Sequence, residues 1–202
     1  MTRRLGVLIS GRGSNLQSII DAIADTRLDA SIAVVLSNRP AAAGLERARA
    51  AGLEAMCLPP RDYANRDEYD RALAQTLAAR GVDLVCLAGF MRLVGSPLLA
   101  AFPNRILNVH PSLLPAFPGL HAQRQALEYG VQVSGASVHL VTEELDGGPI
   151  VRQAAVPVLP DDTEEALAAR ILIEEHRIYP EAIACVLDGG WRLDGRRFIG
   201  AR

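Results

Sequence analysis

Leu5-Gly6-Val7-Leu8-Ile9-Ser10-Gly11-Arg12-Gly13-Ser14-Asn15-Leu16 passes from an unbroken apolar run through a glycine turn into residues of helical period. A short continuous apolar run closed by glycine reads as a strand buried on both faces. The pattern repeats downstream. Strands are expected at 31–37, 53–58 and 82–88, and helices at 16–24, 44–51 and 67–80, the last ended by Gly81. Alternation of this kind builds parallel β-α-β units, so the expected fold is α/β, a doubly wound, mostly parallel sheet with helices on both faces, Rossmann-like.

The second half changes character. A short helix at 98–102 leads to a strand ending in Asn108-Val109-His110-Pro111. A proline-rich loop, 113–119, and a helix, 121–128, follow. Strands at 135–142 and 149–158 flank the turn Glu143-Glu144-Leu145-Asp146-Gly147-Gly148. Asp162-Thr163-Glu164-Glu165 caps a long final helix reaching Tyr179-Pro180 or Leu187, and the tail from Trp191 to Arg202 has the form of a terminal hairpin.

Composition narrows the classes. The 202 residues are half hydrophobic, enough for a sizeable core, and the net charge of −2 offers no basic field for nucleic acid. No apolar run is long enough to span a bilayer and no leader is visible, so the cytoplasm is the default and no membrane partner is expected. Cys57, Cys86 and Cys185 lie apart in apolar contexts and read as buried core thiols. All 21 basic residues are arginine. That excludes a lysine Schiff base and a Walker-type phosphate lysine, so an anion clamp must use arginine or backbone N–H groups.

Gly13, Ser14 and Asn15 sit where a strand meets a helix. Such a turn lets backbone approach a phosphate, and the helix start offers unpaired N–H groups. Leu16 stands in the third glycine place of the dinucleotide fingerprint, which argues against NAD. A monophosphate fits better; a plain turn capped by Ser14 or Asn15 is the alternative. Arg61, Arg66 and Arg71 flank the start of the helix after Pro59-Pro60; one of them could complete the phosphate site from another loop, and a solvated helix face is the alternative for each. Gly89-Phe90-Met91-Arg92 follows a buried parallel strand at the end where ligands bind, and Arg92 suits a ligand carboxylate.

Asn108 and His110 are two apart on one strand and project to one face. Together they make a donor pair for a developing oxyanion. Asp146, on an Asp-Gly turn, would orient the imidazole and favour its charged form. Ser137 and His139 also share a strand face. No strained nucleophile elbow surrounds Ser137, so these read as supporting groups.

Gly13-Ser14-Asn15-Leu16-Gln17, Ala88-Gly89-Phe90-Met91-Arg92, Asn108-Val109-His110-Pro111-Ser112-Leu113-Leu114-Pro115, Pro118-Gly119-Leu120-His121 and Glu144-Leu145-Asp146-Gly147-Gly148-Pro149 closely resemble the phosphoribosylglycinamide formyltransferases, members of the formyl-folate transferase family. The resemblance covers nearly the whole chain. It implies formyl transfer from 10-formyltetrahydrofolate, as co-substrate, to the amine of glycinamide ribonucleotide in purine synthesis. No metal and no covalent enzyme intermediate are implied. It assigns Asn108, His110 and Asp146 to catalysis. The ribonucleotide falls to Gly13, Ser14, Asn15, Arg66 and Glu175, and the folate to Arg92, Leu93, Val94, Val141, Thr142, Glu143, Glu144 and Leu145. Gly89, Phe90, Met91, His121, Ser137 and His139 are supporting.

Leu172 stands where the family often has Gln, which leaves one ribose hydrogen bond open; Gln123 stands where it often has His. A single domain over 1–202 is expected, with 1–100 mainly the phosphate half and 101–202 mainly the catalytic and folate half, as monomer or homodimer. A formylfolate hydrolase would need an added N-terminal domain. A methionyl-tRNA formyltransferase would need a C-terminal RNA-binding domain. A sugar-nucleotide formyltransferase would have no reason to keep the phosphate turn, and a pure nucleotide binder no need of the Asn/His/Asp set.

Overall fold

A computed structural model describes residues 2–200; the outermost residues of the expected tail, Ala201 and Arg202, lie outside the described residues, as does Met1. The chain divides into two compact units, Met1–Asn108 and Val109–Arg202.

The first unit is the α/β core foreseen from the apolar runs. Its strands are β1 (Arg3–Ile9), β2 (Ala30–Ser37), β3 (Ala55–Cys57), β4 (Leu84–Leu87) and β5 (Ile106–His110), the last reaching the boundary. Their order is β3-β2-β1-β4-β5 and the pairing is parallel. Leu5, Val7, Leu8 and Ile9 of the central β1 are fully buried. A strand flanked on both sides and covered on both faces has no place for alternation, hence its continuous apolar run. The third strand is shorter than expected. It lies at the edge, where only β2 holds it.

The helices of this unit are α1 (Ser14–Ala24), α2 (Ala43–Ala50), α3 (Arg66–Ala78) and α4 (Ser96–Ala101). Helix α3 starts one residue earlier than expected because Asn65 caps it. The Asn65 side chain accepts the Glu68 N–H at 2.9 Å, and the Glu68 carboxylate reaches back to the Ala64 N–H at 3.3 Å. Reciprocal capping of this kind fixes a helix start, here with Arg66 as its first residue.

The second unit carries α5 (Ala122–Tyr129), β6 (Val133–Leu140), β7 (Ile150–Pro157), α6 (Glu164–Asp188), β8 (Arg192–Asp194) and β9 (Arg197–Ile199). Strands β6 and β7 are antiparallel, and the β8–β9 hairpin joins β7 through one parallel pairing, Ile150 with Arg197. Within the expected capping stretch, Thr163 is the N-cap of α6, accepting the Ala166 N–H at 3.2 Å. Helix α6 continues through Pro180 to Asp188. An interior proline costs about 3 kcal/mol. Ala182, Ile183 and Val186 beyond it are buried, and a buried Val or Ile side chain contributes roughly 1.5–3 kcal/mol, enough to hold the last two turns.

The cysteines are less uniform than expected. Cys86 is buried in β4, whereas Cys57 and Cys185 are only partly covered, one on the edge strand and the other near the end of α6. Among the described residues, no helix is long and apolar enough to cross a membrane.

Candidate active site

The Gly-rich turn lies after the C-terminal end of β1. Gly13 is the N-cap of α1 with φ 73°, and no side-chain hydrogen bond closes that cap. A Cβ on Gly13 would stand 2.8 Å from the Gly44 Cα, because the turn packs directly on the start of α2, where the Gly44 N–H donates to the Gly11 carbonyl at 3.0 Å. Only glycine meets both conditions, positive φ and backbone contact. The turn is packed backbone against backbone, and the N-cap of α1 is Gly13, not Ser14 or Asn15.

The C-terminal ends of β1 and β4 are tied together. The Ser10 N–H donates to the Gly89 carbonyl at 3.1 Å, and the Ser10 hydroxyl accepts the Met91 N–H at 2.8 Å while donating to Asn38 Oδ1 at 2.6 Å. Phe90 and Val94 turn inward, but Met91 and Leu93 remain 61% and 56% exposed. Two apolar side chains left in water beside an arginine suit a flat, partly apolar ligand better than they suit the core.

Of the three flanking arginines, Arg66 alone is paired with a buried group. Its Nε lies 4.0 Å from Oδ2 of Asp70, whereas Arg61 faces exposed Asp62 and Arg71 is exposed. Arg92 packs over the Tyr69 ring, with its guanidinium carbon 5.2 Å from the centroid.

The second unit holds His110 and Asp146, two of the three residues expected in catalysis. Strand β5 ends at His110, one residue before Pro111, as the extended bias of a pre-proline position requires. His110 is 5% exposed, and its Nδ1 lies 3.4 Å from Oδ2 of Asp146. Its Nε2 meets the Phe117 carbonyl at 2.8 Å. Each ring nitrogen thus faces an oxygen acceptor, which fixes the orientation of the imidazole. Asp146 adopts φ 49° and also accepts the Gly119 N–H at 2.8 Å. Its other oxygen faces His139 Nε2 at 3.6 Å. Burial alone would raise the Asp146 carboxyl. Nearby His139, the Gly119 N–H and the charge of His110 outweigh it and hold the carboxyl below its ordinary value.

The loop between His110 and Asp146 is pinned by Ser137. The Ser137 hydroxyl, fully buried, donates to the Ser112 carbonyl at 2.7 Å and accepts the Leu114 N–H at 3.0 Å. Gln153 on β7 donates to the same hydroxyl at 2.8 Å and to the Leu114 carbonyl at 3.0 Å. Ser137 is thus a strut for the loop, in keeping with the missing nucleophile elbow. His139 sits where the β6–β7 register jumps by one, a device that re-aims side chains.

Four participants were not singled out from the residues: the Phe117 carbonyl, the Gly119 N–H, Gln153 and Asp70. Backbone groups leave no mark in side-chain patterns, and Asp70 reads as one more polar helix position. Glu175 is buried on α6, and His121 is exposed at the start of α5 with φ 59°. Asn108 is half-buried on β5, two residues before His110, and its backbone pairs with Leu87. The segment 142–145 is exposed, Val141 less so, and Glu144 is ion-paired with Arg196 at 3.0 Å. Among the described residues, no group of three or more His, Cys, Asp or Glu is arranged to hold a metal ion.

The profile of the formyl transferase family matches residues 3–183. The phosphoribosylglycinamide formyltransferase of Escherichia coli (strain K12) is 47% identical over 199 residues, covering 95% of this chain and 93% of that protein. The trifunctional purine biosynthetic protein adenosine-3 of Drosophila melanogaster is 48% identical over 189 residues, of which this chain spans only 14% of the length. Among solved structures, glycinamide ribonucleotide transformylase 1 from Symbiobacterium toebii superposes with a TM-score of 0.98 at 59% identity, covering 100% of this chain and 95% of that one. The phosphoribosylglycinamide formyltransferase of Coxiella burnetii gives a TM-score of 0.93 at 38% identity, covering 99% and 94%. The chain belongs to the formyl transferase family, among the phosphoribosylglycinamide formyltransferases.

Proposed function

We propose that this enzyme transfers the formyl group of 10-formyltetrahydrofolate to the primary amine of glycinamide ribonucleotide. The amine lone pair attacks the formyl carbon, a new N–C bond forms, and the carbonyl electron pair moves onto oxygen. Asn108 and the His110 imidazolium stabilise that oxyanion. Collapse of the tetrahedral intermediate breaks the bond to the folate nitrogen. The proton lost by the attacking amine passes to that leaving nitrogen, with Asp146 assisting through water.

The observation that carries this reading is the 3.4 Å approach of His110 Nδ1 to Asp146 Oδ2. The carboxylate orients the ring at the end of β5, where a ring N–H can donate to an oxyanion. His110 Nε2 meets the Phe117 carbonyl, and on this mechanism the oxyanion takes that carbonyl's place.

The ribonucleotide phosphate is assigned to the backbone of Gly13, Ser14 and Asn15 with Arg66, and the ribose to Glu175. The folate is assigned to Arg92, Leu93 and Val94 and to Val141 through Leu145. No metal takes part in this scheme, and cytoplasmic purine synthesis is the setting. The test is a spectrophotometric assay with a 10-formylfolate donor, run with and without glycinamide ribonucleotide. Transfer that requires the ribonucleotide is the expected result. Folate release without it makes the protein a hydrolase, and no reaction in either case removes the proposal.

A further inference from the structure

Asp70 is a buried carboxylate, its side chain 3% exposed, next to buried Tyr69 in the first turns of α3, where Arg66, Asp67, Glu68 and Arg71 are exposed. One of its oxygens, Oδ2, serves two partners. It accepts the Gly95 N–H at 2.6 Å, and Arg66 Nε approaches it at 4.0 Å. Gly95 is fitted to this contact, since a Cβ there would lie 2.6 Å from Asp70 Oδ2 and 3.3 Å from Arg66 Nε. The preceding residue of α3, Tyr69, carries the Arg92 guanidinium on its ring. Two successive residues of one helix thus brace both ends of the segment 92–95, and the same helix begins with Arg66.

We propose that Asp70 is a positioning residue whose single buried carboxylate sets both the Arg66 guanidinium and the 92–95 segment. The proposal rests on the reading of Arg66 as a phosphate contact and of Arg92, Leu93 and Val94 as folate contacts. Neither Asp70 oxygen touches substrate. Its work is to hold a cation and a backbone amide in the geometry that each substrate meets. Burial outweighs the Gly95 N–H and the charges of Arg66 and Arg92 and lifts the Asp70 carboxyl above its ordinary value. A surface carboxylate would meet no such cost, so this one belongs where its two partners need it.

The two functions separate by substitution. Asp70→Asn keeps an oxygen for the Gly95 N–H but removes the charge that steadies Arg66. Asp70→Ala removes both. Titration calorimetry with glycinamide ribonucleotide and, separately, with 10-formylfolate reads the outcome without relying on turnover. Asp70→Asn should weaken ribonucleotide binding by about tenfold and leave folate binding within about twofold, the size of one charge-assisted contact. Asp70→Ala should weaken both by about tenfold or more.

Equal losses for the two ligands in Asp70→Asn, or no loss in either, overturn the proposal. If Asp70→Ala fails to fold, the Asn variant decides alone. Wild-type protein that binds neither compound overturns this inference and the proposed function together. Wild-type protein that binds both, with the Asn pattern absent, overturns only the role of Asp70.

Discussion

His139 Nε2 lies 3.6 Å from Oδ1 of Asp146, the oxygen that does not face His110. One carboxylate is thereby shared by two buried imidazoles, and the Gly119 N–H steadies it further. On the proposed chemistry His110 meets the substrate, and His139 acts through Asp146. Substituting His139 by Ala should lower kcat by about 10- to 100-fold, less than the loss from His110→Ala. It should also move the acid limb of the rate profile. His139 helps to hold the Asp146 carboxyl low, so its removal raises that pKa and activity begins to fall at a higher pH. A pH profile whose acid limb does not move would leave His139 without this role.

Asp146→Asn tests the carboxylate itself. Asparagine retains an oxygen for the Gly119 N–H, so the turn should persist and the melting temperature should change little. The charge beside His110 is lost, and turnover should fall by about a thousandfold or more, the scale seen when a carboxylate orienting a catalytic imidazole is neutralised. Near-normal turnover in a folded variant would remove Asp146 from the mechanism.

The alternation of apolar runs and glycine turns made the first unit legible, because a fully buried parallel strand has almost no other sequence pattern. His110 was legible for a local reason: Pro111 fixes its backbone, and strand period places Asn108 on the same face. Asp146 was legible as a turn carboxylate able to orient the imidazole, and the resemblance added the expectation that it acts in catalysis. What surrounds the pair was not legible. The Phe117 carbonyl and Gly119 N–H depend on the path of a loop, and Gln153 reaches that loop from a strand 39 residues beyond Leu114. Strand ends also slipped by one or two residues where pairing on the neighbouring strand, and not local composition, decides the boundary.

Arg66→Ala should raise the ribonucleotide KM by about 10- to 100-fold, equivalent to losing one or two charge-assisted hydrogen bonds to phosphate, while the folate KM changes little. Steady-state kinetics with each substrate varied in turn makes the comparison. Equal effects on both constants would take Arg66 out of the phosphate site.

Asp162 gives a stability prediction independent of catalysis. It accepts two hydrogen bonds from Arg170, at 2.7 and 2.8 Å, and the Leu159 N–H at 2.8 Å. The Arg170 pairing, with the Leu159 N–H, holds its carboxyl down to about 2 from an ordinary 3.8. A folded-state value below the unfolded one contributes stability that is present above the unfolded value and is lost as pH falls toward the folded one. Asp162→Asn should therefore melt below the wild type at pH 7, and the difference should close between about pH 4 and pH 2. A gap in melting temperature that stays constant across that range would assign the effect to packing and not to the charge.

Gly13→Ala brings together the fold and the site. The residue has φ 73°, where a side chain is strained by about 1–2 kcal/mol, and its Cβ would meet the Gly44 Cα at 2.8 Å. The strain and the clash act on the same turn, so α1 and α2 must part or the turn must refold. Melting temperature should drop by several degrees, and the ribonucleotide KM should rise more than the folate KM, because the displaced N–H groups belong to the phosphate turn. Calorimetric melting together with the two KM values separates the outcomes. A stability loss with both KM values unchanged would mean that the turn is a packing device only, and the phosphate would have to be held elsewhere.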